Sequence, residues 1–510
     1  MTDHLVTVHA SADALPRERQ LAWKLAEAAL GDRPVDPGAA AMAANRLIDD
    51  AAVAVASLDR APVVHARAQA LAHPHPNGAT PFGHGPDVRV HAEWAAWANA
   101  VAVRELDFHD TFLAADYAHP GDAIPALLAV AQQTHQDGAA LQRGILAAYE
   151  VHVALVKGIC LHCHKIDHMA HLCPATAAGL AAMLDLDVAT TYQAINQAVH
   201  VAFSTRQSRK GEISSWKAYV PGHSALLAIT AVDRAMRGEA APSPIYEGED
   251  SVLAWLLDGP DARYTVPLPD AGEPHRAILE TYTKAHSAEY QAQAFIDLAF
   301  DVRTRLPGGP DAIDVDAIRE IVVRTSHHTH HVIGTGANDP QKIDPDATRE
   351  TLDHSLMYIL AVALQDGVWH HVDSYTPERA HRPDTVALWH KIRTEEDPDW
   401  TARYRAPDPT ERAFGGEMTV VLANGETVHA RRDVADAHPN GAAPFARPDY
   451  VAKFGALAGG VLPADAQGRF LALAERLGDL SADEVRHLTL AAPHLAHEPT
   501  DPALKQGIFR

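Results

Sequence analysis

Three things are scarce in this 510-residue chain, and each scarcity excludes something. Cysteine occurs only three times, as Cys160, Cys163 and Cys173, all within fourteen residues. An odd, clustered set is no disulfide framework; it points to a reducing compartment or a metal site. No apolar run approaches the length of a membrane span. The N-terminus, M-T-D-H-L-V-T-V-H-A-S-A-D, lacks the basic start and apolar core of a signal peptide, so a cytoplasmic protein is expected. Positive charge is also short: 43 Lys and Arg stand against 66 Asp and Glu, a net charge of −23. That deficit argues against a nucleic-acid or anionic-membrane partner, and any anionic substrate would need a local cluster of cations.

What is present is ordinary for a globular protein, with 47% hydrophobic and 21% charged residues. The length exceeds one ordinary core and predicts at least two domains. Residues 1 to about 60 read as helix, since L-A-W-K-L-A-E-A-A-L and the stretch 39–58 place apolar residues at helical spacing. Residues 72–90 form a Pro/Gly loop. From 92 to about 237 nearly everything reads as alanine-rich helix. Asp187 is the expected N-cap of one helix, Pro221 the start of another and Gly238 its C′ stop. The pattern then changes. R-E-I-V-V-R-T at 319–325 is a β-branched run, and Asn424-Gly425 between alternating segments is a hairpin signal. The expected fold is therefore mainly α with an inserted α+β domain. Residues 1–270 and 446–510 make a helical domain, and 271–445 a smaller α+β domain.

Four stretches carry groups able to do chemistry. Residues 106–120, L-D-F-H-D-T-F-L-A-A-D-Y-A-H-P, hold three carboxylates, a threonine and two imidazoles at the end of a helical pattern. If the helix runs on, Asp107 and Thr111 share one face and Asp110 repels Asp107. The chain must leave the helix before Pro120, which turns His119 back toward the acid pair as a possible acid/base arrangement. Residues 205–217 gather Arg206, Arg209, Lys210 and Lys217 in an otherwise acidic chain, and arginine forks suit carboxylates. The segment S-H-H-T-H-H-V at 326–332 reads as the polar end of a strand. Cys160-Leu161-His162-Cys163-His164 matches the pattern for covalent haem attachment, which belongs to exported proteins. With Cys173 it matches a three-thiolate cluster, but all three thiols and His162, His164, His168 and His171 share one short segment. Buried cysteines with local histidines are the simpler reading.

Five motifs in order add a resemblance: residues 106–120, Lys165-Ile-Asp-His168, Ser215-Trp-Lys217-x4-Gly222, Ala288-Glu289-Tyr290-x-x-Gln293 and His354-Ser355-x-x-Tyr358. The chain resembles the MmgE/PrpD family over about residues 92–454. The resemblance implies a helical domain with an α+β lid, a homodimer, no metal and no cofactor. It also implies elimination of water from 2-methylcitrate in propionate catabolism, with citrate or cis-aconitate as further substrates. Carried over by motif, Asp107, His119, His168 and Lys217 would be catalytic. Thr111, Arg206, Arg209, Lys284, His286 and Tyr358 would bind substrate. The family pattern carries a histidine soon after its A-E-F; here A-E-Y is followed by Gln291, leaving His286 to take that place or the role unfilled. The segment between Thr111 and His119 has the longer, dehydratase-like form. A cis-aconitate decarboxylase and a non-enzymatic tricarboxylate-binding protein are the alternatives.

Dehydration needs a base beside a carboxylate, fixed positive charge for the developing dianion, and an acid for the leaving hydroxyl. His119 and His168 are expected to move protons and Asp107 to orient one of them. Lys217, Arg206 and Arg209 would face the substrate carboxylates.

Overall fold

Alanine-rich, proline-poor runs with few β-branched residues favour helix, and the computed structural model, which describes residues 2–406, 408–497 and 507–509, places helices there. The helical part includes α1 (Leu21–Ala29), α2 (Pro37–Ser57), α3 (Ala92–Glu105), α4 (Ile124–Thr134), α5 (Gly138–Gly158), α6 (Met169–Met183), α7 (Val188–Val201) and α8 (Trp216–Met236), together with a further helix, Ala61–Leu71, between α2 and α3. Small residues let these helices approach closely. A Cβ on Gly144 of α5 would sit 2.9 Å from the Gly179 carbonyl oxygen of α6, and one on Gly179 would sit 2.7 Å from Ala148 Cβ. Asp187 caps α7 by accepting from Thr190 N at 2.8 Å, and Gly238 follows α8 with φ +86°, both as expected. Residues 2–7 are not helical. They form β1 (Thr2–Thr7), antiparallel to β2 (Arg263–Leu268), because the short alternating run finds a partner some 260 residues away.

The second part is built on α9 (Tyr290–Arg303), β3 (Ile318–Thr325), α10 (Leu356–Asp366), β4 (Ile392–Glu396), β5 (Gly416–Leu422) and β6 (Thr427–Arg432). Its sheet runs β4-β3-β5-β6, with β3 and β4 parallel and the other neighbours antiparallel. The expected hairpin at Asn424-Gly425 joins β5 to β6, with Gly425 at φ +90°. An irregularity between Ile318 and Glu320 shifts the alternation of β3, so that Ile321, Val323 and Thr325 point inward. Helices α9 and α10 cover that face through Phe295, Ile296, Tyr358 and Leu360. After the sheet, α11 (Arg447–Ala458) returns to the first part, where Tyr450, Phe454 and Leu457 join the core that contains α2 to α5.

Several sequence expectations change. Helix α3 ends at Glu105 instead of running to Thr111, and Asp107 has φ 49°, a left-handed conformation uncommon for a residue with a side chain. Pro221 lies inside α8, which begins at Trp216. The histidine run at 327–332 is a short helix whose N-cap Ser326 accepts from Thr329 N, not a continuing strand. Cys160 and Cys163 are disulfide-bonded to each other, while Cys173 is free and buried within α6. Among the described residues, no helix is long and apolar enough to cross a membrane.

Candidate active site

The stop at the end of α3 builds one wall of a small, partly enclosed cavity. Once the chain turns at Asp107, residues 107–120 fold back as a loop. His119, held extended before Pro120, donates from Nδ1 to the Asp110 carbonyl oxygen at 2.8 Å. Its Nε2 is then the acceptor. Burial, reinforced by Arg104 and Lys284, pushes the His119 pKa well below the ordinary value despite nearby Asp107, so the ring is neutral at pH 7. Asp110 is no repelling partner of Asp107. It accepts from Tyr149 Oη at 2.7 Å and Gly121 N at 2.9 Å, tying the loop to α5.

Asp107 is buried, and burial alone would favour its protonated form. Arg104, Lys284 and Lys217 outweigh that and hold it well below the usual carboxylate range. Arg104 Nη1 lies 3.1 Å from Oδ1, Lys284 Nζ binds the same oxygen, and Lys217 Nζ is 3.8 Å from Oδ2. Asp107 thus holds two cavity cations, Arg104 and Lys284, in place.

Arg206 and Arg209 reach the cavity from the loop before α8. Arg206 lies over the Tyr117 ring at 4.9 Å. Arg209 is 6% exposed, with Nε 3.7 Å from Asp167. Its Nη1 and Nη2 are buried and meet no hydrogen-bond partner among the described residues. A buried fork with two unused donors on a cavity wall is built for a planar anion.

The α+β part supplies the opposite wall with Lys284, Glu289, His328 and His354. Glu289 caps α9, accepting from Gln291 N at 2.6 Å. Burial raises its pKa to about 7, against the pull of Lys284 and with repulsion from Asp107 and Asp353 adding to the push. His354 bonds Asp353 through Nδ1, and Nε2 lies 3.9 Å from Asp107. Burial and Lys217 lower its pKa to about 4 against the opposing pull of Asp353. With its amide turned so that both ends are satisfied, Gln291 donates to Glu289 at 2.8 Å and accepts from His328 Nε2 at 3.0 Å.

Of the residues expected from sequence, Asp107, Thr111, His119, Arg206, Arg209 and Lys284 line this cavity. The other four do not. His168 stands behind His119, ring centres 5.7 Å apart, between Asp167 at 3.0 Å and Asp122 at 3.7 Å. Burial opposes its charge, yet those carboxylates raise its pKa. Lys217 is fully buried and spends its charge on Asp353 at 2.5 Å. His286 is held away by Asp297 at 2.8 Å, and the imidazole that reaches the wall near Gln291 is His328. Tyr358 lies in the core of the second part and donates to the Ser374 carbonyl oxygen at 2.5 Å. Sequence reasoning missed Arg104, Tyr117, Glu289, His328 and His354. Tyr117, Glu289 and His354 were inside quoted motifs, His328 inside the quoted histidine run, and Arg104 stands three residues before Asp107, a spacing that suits an ion pair.

The MmgE/PrpD N-terminal domain matches residues 19–265 and the MmgE/PrpD C-terminal domain residues 286–479. The chain is 26% identical over 357 residues to the mitochondrial 2-methylcitrate dehydratase of Yarrowia lipolytica, covering 67% of this chain and 65% of that protein. It is 28% identical over 367 residues to the 2-methylcitrate dehydratase of Cupriavidus necator, covering 69% and 71%. To the cis-aconitate decarboxylase of Mus musculus it is 24% identical over 440 residues, covering 81% of each. With both domains matched in order, one on each side of the cavity, the chain belongs to the MmgE/PrpD family.

Proposed function

We propose that this protein is a hydro-lyase that removes water from 2-methylcitrate to give 2-methyl-cis-aconitate, the dehydration step of the methylcitrate cycle. The observation that carries this reading is the Arg209 fork, whose buried Nη1 and Nη2 meet no hydrogen-bond partner among the described residues, in a chain of net charge −23. It shares its cavity with Arg104, Arg206 and Lys284, against Asp107 and Glu289 as the acidic lining among the described residues. Four fixed cations facing two carboxyls, one of them pushed toward neutrality, suit a substrate with several carboxylates.

In the reaction, Arg209 and Arg206 hold substrate carboxylates. His119 Nε2 takes the proton from the carbon next to a carboxylate, and Lys284 and Arg104 stabilise the charge that develops there. The electron pair forms the new carbon–carbon double bond as the neighbouring C–O bond breaks. Glu289 gives its proton to the departing hydroxyl, which leaves as water. Asp107 positions Lys284 and Arg104, and His168 supports the ring of His119 from behind. The α+β unit at about 271–445 acts as a lid over the helical body, and the working unit is a homodimer.

Purified protein incubated separately with 2-methylcitrate, citrate and cis-aconitate tests the assignment. An ultraviolet-absorbing product from 2-methylcitrate, without carbon dioxide, is expected. Carbon dioxide from cis-aconitate with no product from 2-methylcitrate would replace the reading by the decarboxylase. Binding without turnover would make the protein a tricarboxylate receptor.

A further inference from the structure

The segment Cys160-Leu161-His162-Cys163 has no part in the proposed reaction, yet its donor atoms converge. One atom each from Cys160, His162 and Cys163 lie within 4.8 Å of one another. His162 Nε2 sits 3.8 Å from Cys160 Sγ and 3.9 Å from Cys163 Sγ. A tetrahedral zinc ion, with Zn–N about 2.0 Å and Zn–S about 2.3 Å, requires N···S edges of about 3.5 Å. Two of the three edges are close to that before any ion arrives. The third is closed by the disulfide, and the two Cα atoms are 5.8 Å apart, so rotation of the cysteine side chains can part the sulfurs once they are reduced.

A second, independent observation points the same way. The buried carboxylate of Asp116 accepts from His162 Nδ1 at 2.7 Å and, with its other oxygen, from Leu161 N at 3.0 Å. That contact puts the proton on Nδ1 and leaves the Nε2 lone pair unprotonated. In the disulfide Cys160 Sγ stands over the ring, 3.4 Å from Nδ1 and 3.8 Å from Nε2, and on reduction it must swing toward the ring plane to share an ion with Nε2. A carboxylate behind a histidine is how metal-ligating imidazoles are commonly oriented and made more basic. His164 is engaged elsewhere, 3.4 Å from both Asp258 and Tyr264 Oη, which leaves a fourth position for water or an outside donor.

We propose that, in the reduced chain, Cys160, His162 and Cys163 form a binding site for one soft divalent cation such as zinc. Both thiolates and His162 Nε2 are the ligands, Asp116 is the orienting carboxylate, and disulfide formation abolishes the site. Reduction by a dithiol or phosphine delivers two electrons and two protons and yields two thiols. Metal binding then displaces both thiol protons into solvent. The site adjoins the cavity: the His162 ring lies 5.0 Å from His328 and 5.5 Å from Tyr117, two wall residues.

The test uses the full-length chain, reduced with a phosphine, freed of reductant under anaerobic conditions and titrated with cobalt(II). One equivalent should bind with a thiolate-to-cobalt band in the near ultraviolet and tetrahedral bands in the visible, all bleached by zinc. The oxidised chain should show none of these. Cys163 is exposed, so Cys163→Ala should fold normally; it should lose about half of the charge-transfer intensity and bind about tenfold or more weakly. His162→Gln should keep the thiolate band but weaken binding by a similar factor. Absence of the band in the reduced wild type, or a Cys163→Ala titration that overlays the wild type, would overturn the site.

Discussion

On the helical side of the cavity the buried acid Asp107 stays ionised, whereas on the α+β side the buried acid Glu289 is raised to about 7. Both see Lys284. Asp107 also has Arg104 and Lys217, while Glu289 is repelled by Asp107 and Asp353. One cation shared between two acids therefore ionises the acid that has further cations and leaves its neighbour near neutral. Pairs of titratable groups driven apart by environment are how one site provides distinct proton-transfer roles at a single pH. The neutral base His119 sits across from this acid, so the two walls together offer a proton acceptor and a proton donor.

The sharpest way to break that pairing is His119→Asn. The amide keeps a polar contact to the loop but cannot take a proton at pH 7. We expect kcat to fall by about 10³-fold, within the range for loss of a general base, with an unchanged denaturation midpoint. Activity within tenfold of wild type would remove His119 from the mechanism.

Glu289→Gln probes the other partner and should cost about 10²-fold. Its diagnostic is the pH profile. Glu289 must be protonated to act, so wild-type activity should decline as pH rises through about 7. His119 must be neutral to act, and with its pKa well below the ordinary value the acid limb should lie below pH 6.5. The variant should lose the alkaline limb and keep the acid one. An unchanged alkaline limb would assign the proton donor elsewhere.

Arg209→Lys tests the carboxylate fork with less effect on the chemistry. A lysine keeps the charge but loses the two parallel donors, so KM should rise about tenfold while kcat changes less. An unaltered KM would mean that substrate carboxylates lie on Arg206 and Lys284 instead.

How much of this was legible in sequence follows from the range of the interactions. Asp187, Gly238 and Asn424-Gly425 act on neighbours within a few residues, so local patterns placed them correctly. Strand β1 was missed because nothing near residues 2–7 shows that residues 263–268 will pair with them. The end of α3 was missed because Asp107 takes its left-handed turn in company with Lys284, which arrives from 177 residues away. The same long-range pairing explains Lys217. Its position beside a helix start suggested an anion site, but Asp353, from the far part of the chain, occupies its charge. His328 was passed over because four histidines in six residues look alike in sequence, and only the helical turn buries one and exposes His327 and His331.

Tyr358 gives the smallest expected effect and draws the boundary of the site. The motif placed it with the substrate, but its ring packs 5.0 Å from Trp389 and its hydroxyl is committed to the Ser374 carbonyl. Tyr358→Phe removes one hydroxyl and leaves that carbonyl without a donor in a buried setting. The cost should be about 1 kcal/mol of stability, read as a lower denaturant midpoint with an unchanged slope. Because no cavity contact is lost, kcat/KM should stay within about twofold of wild type. A KM increase comparable to that of Arg209→Lys would instead mean that α10 shifts when substrate binds and brings its tyrosine to the wall. The α+β part would then contribute a substrate ligand as well as Glu289.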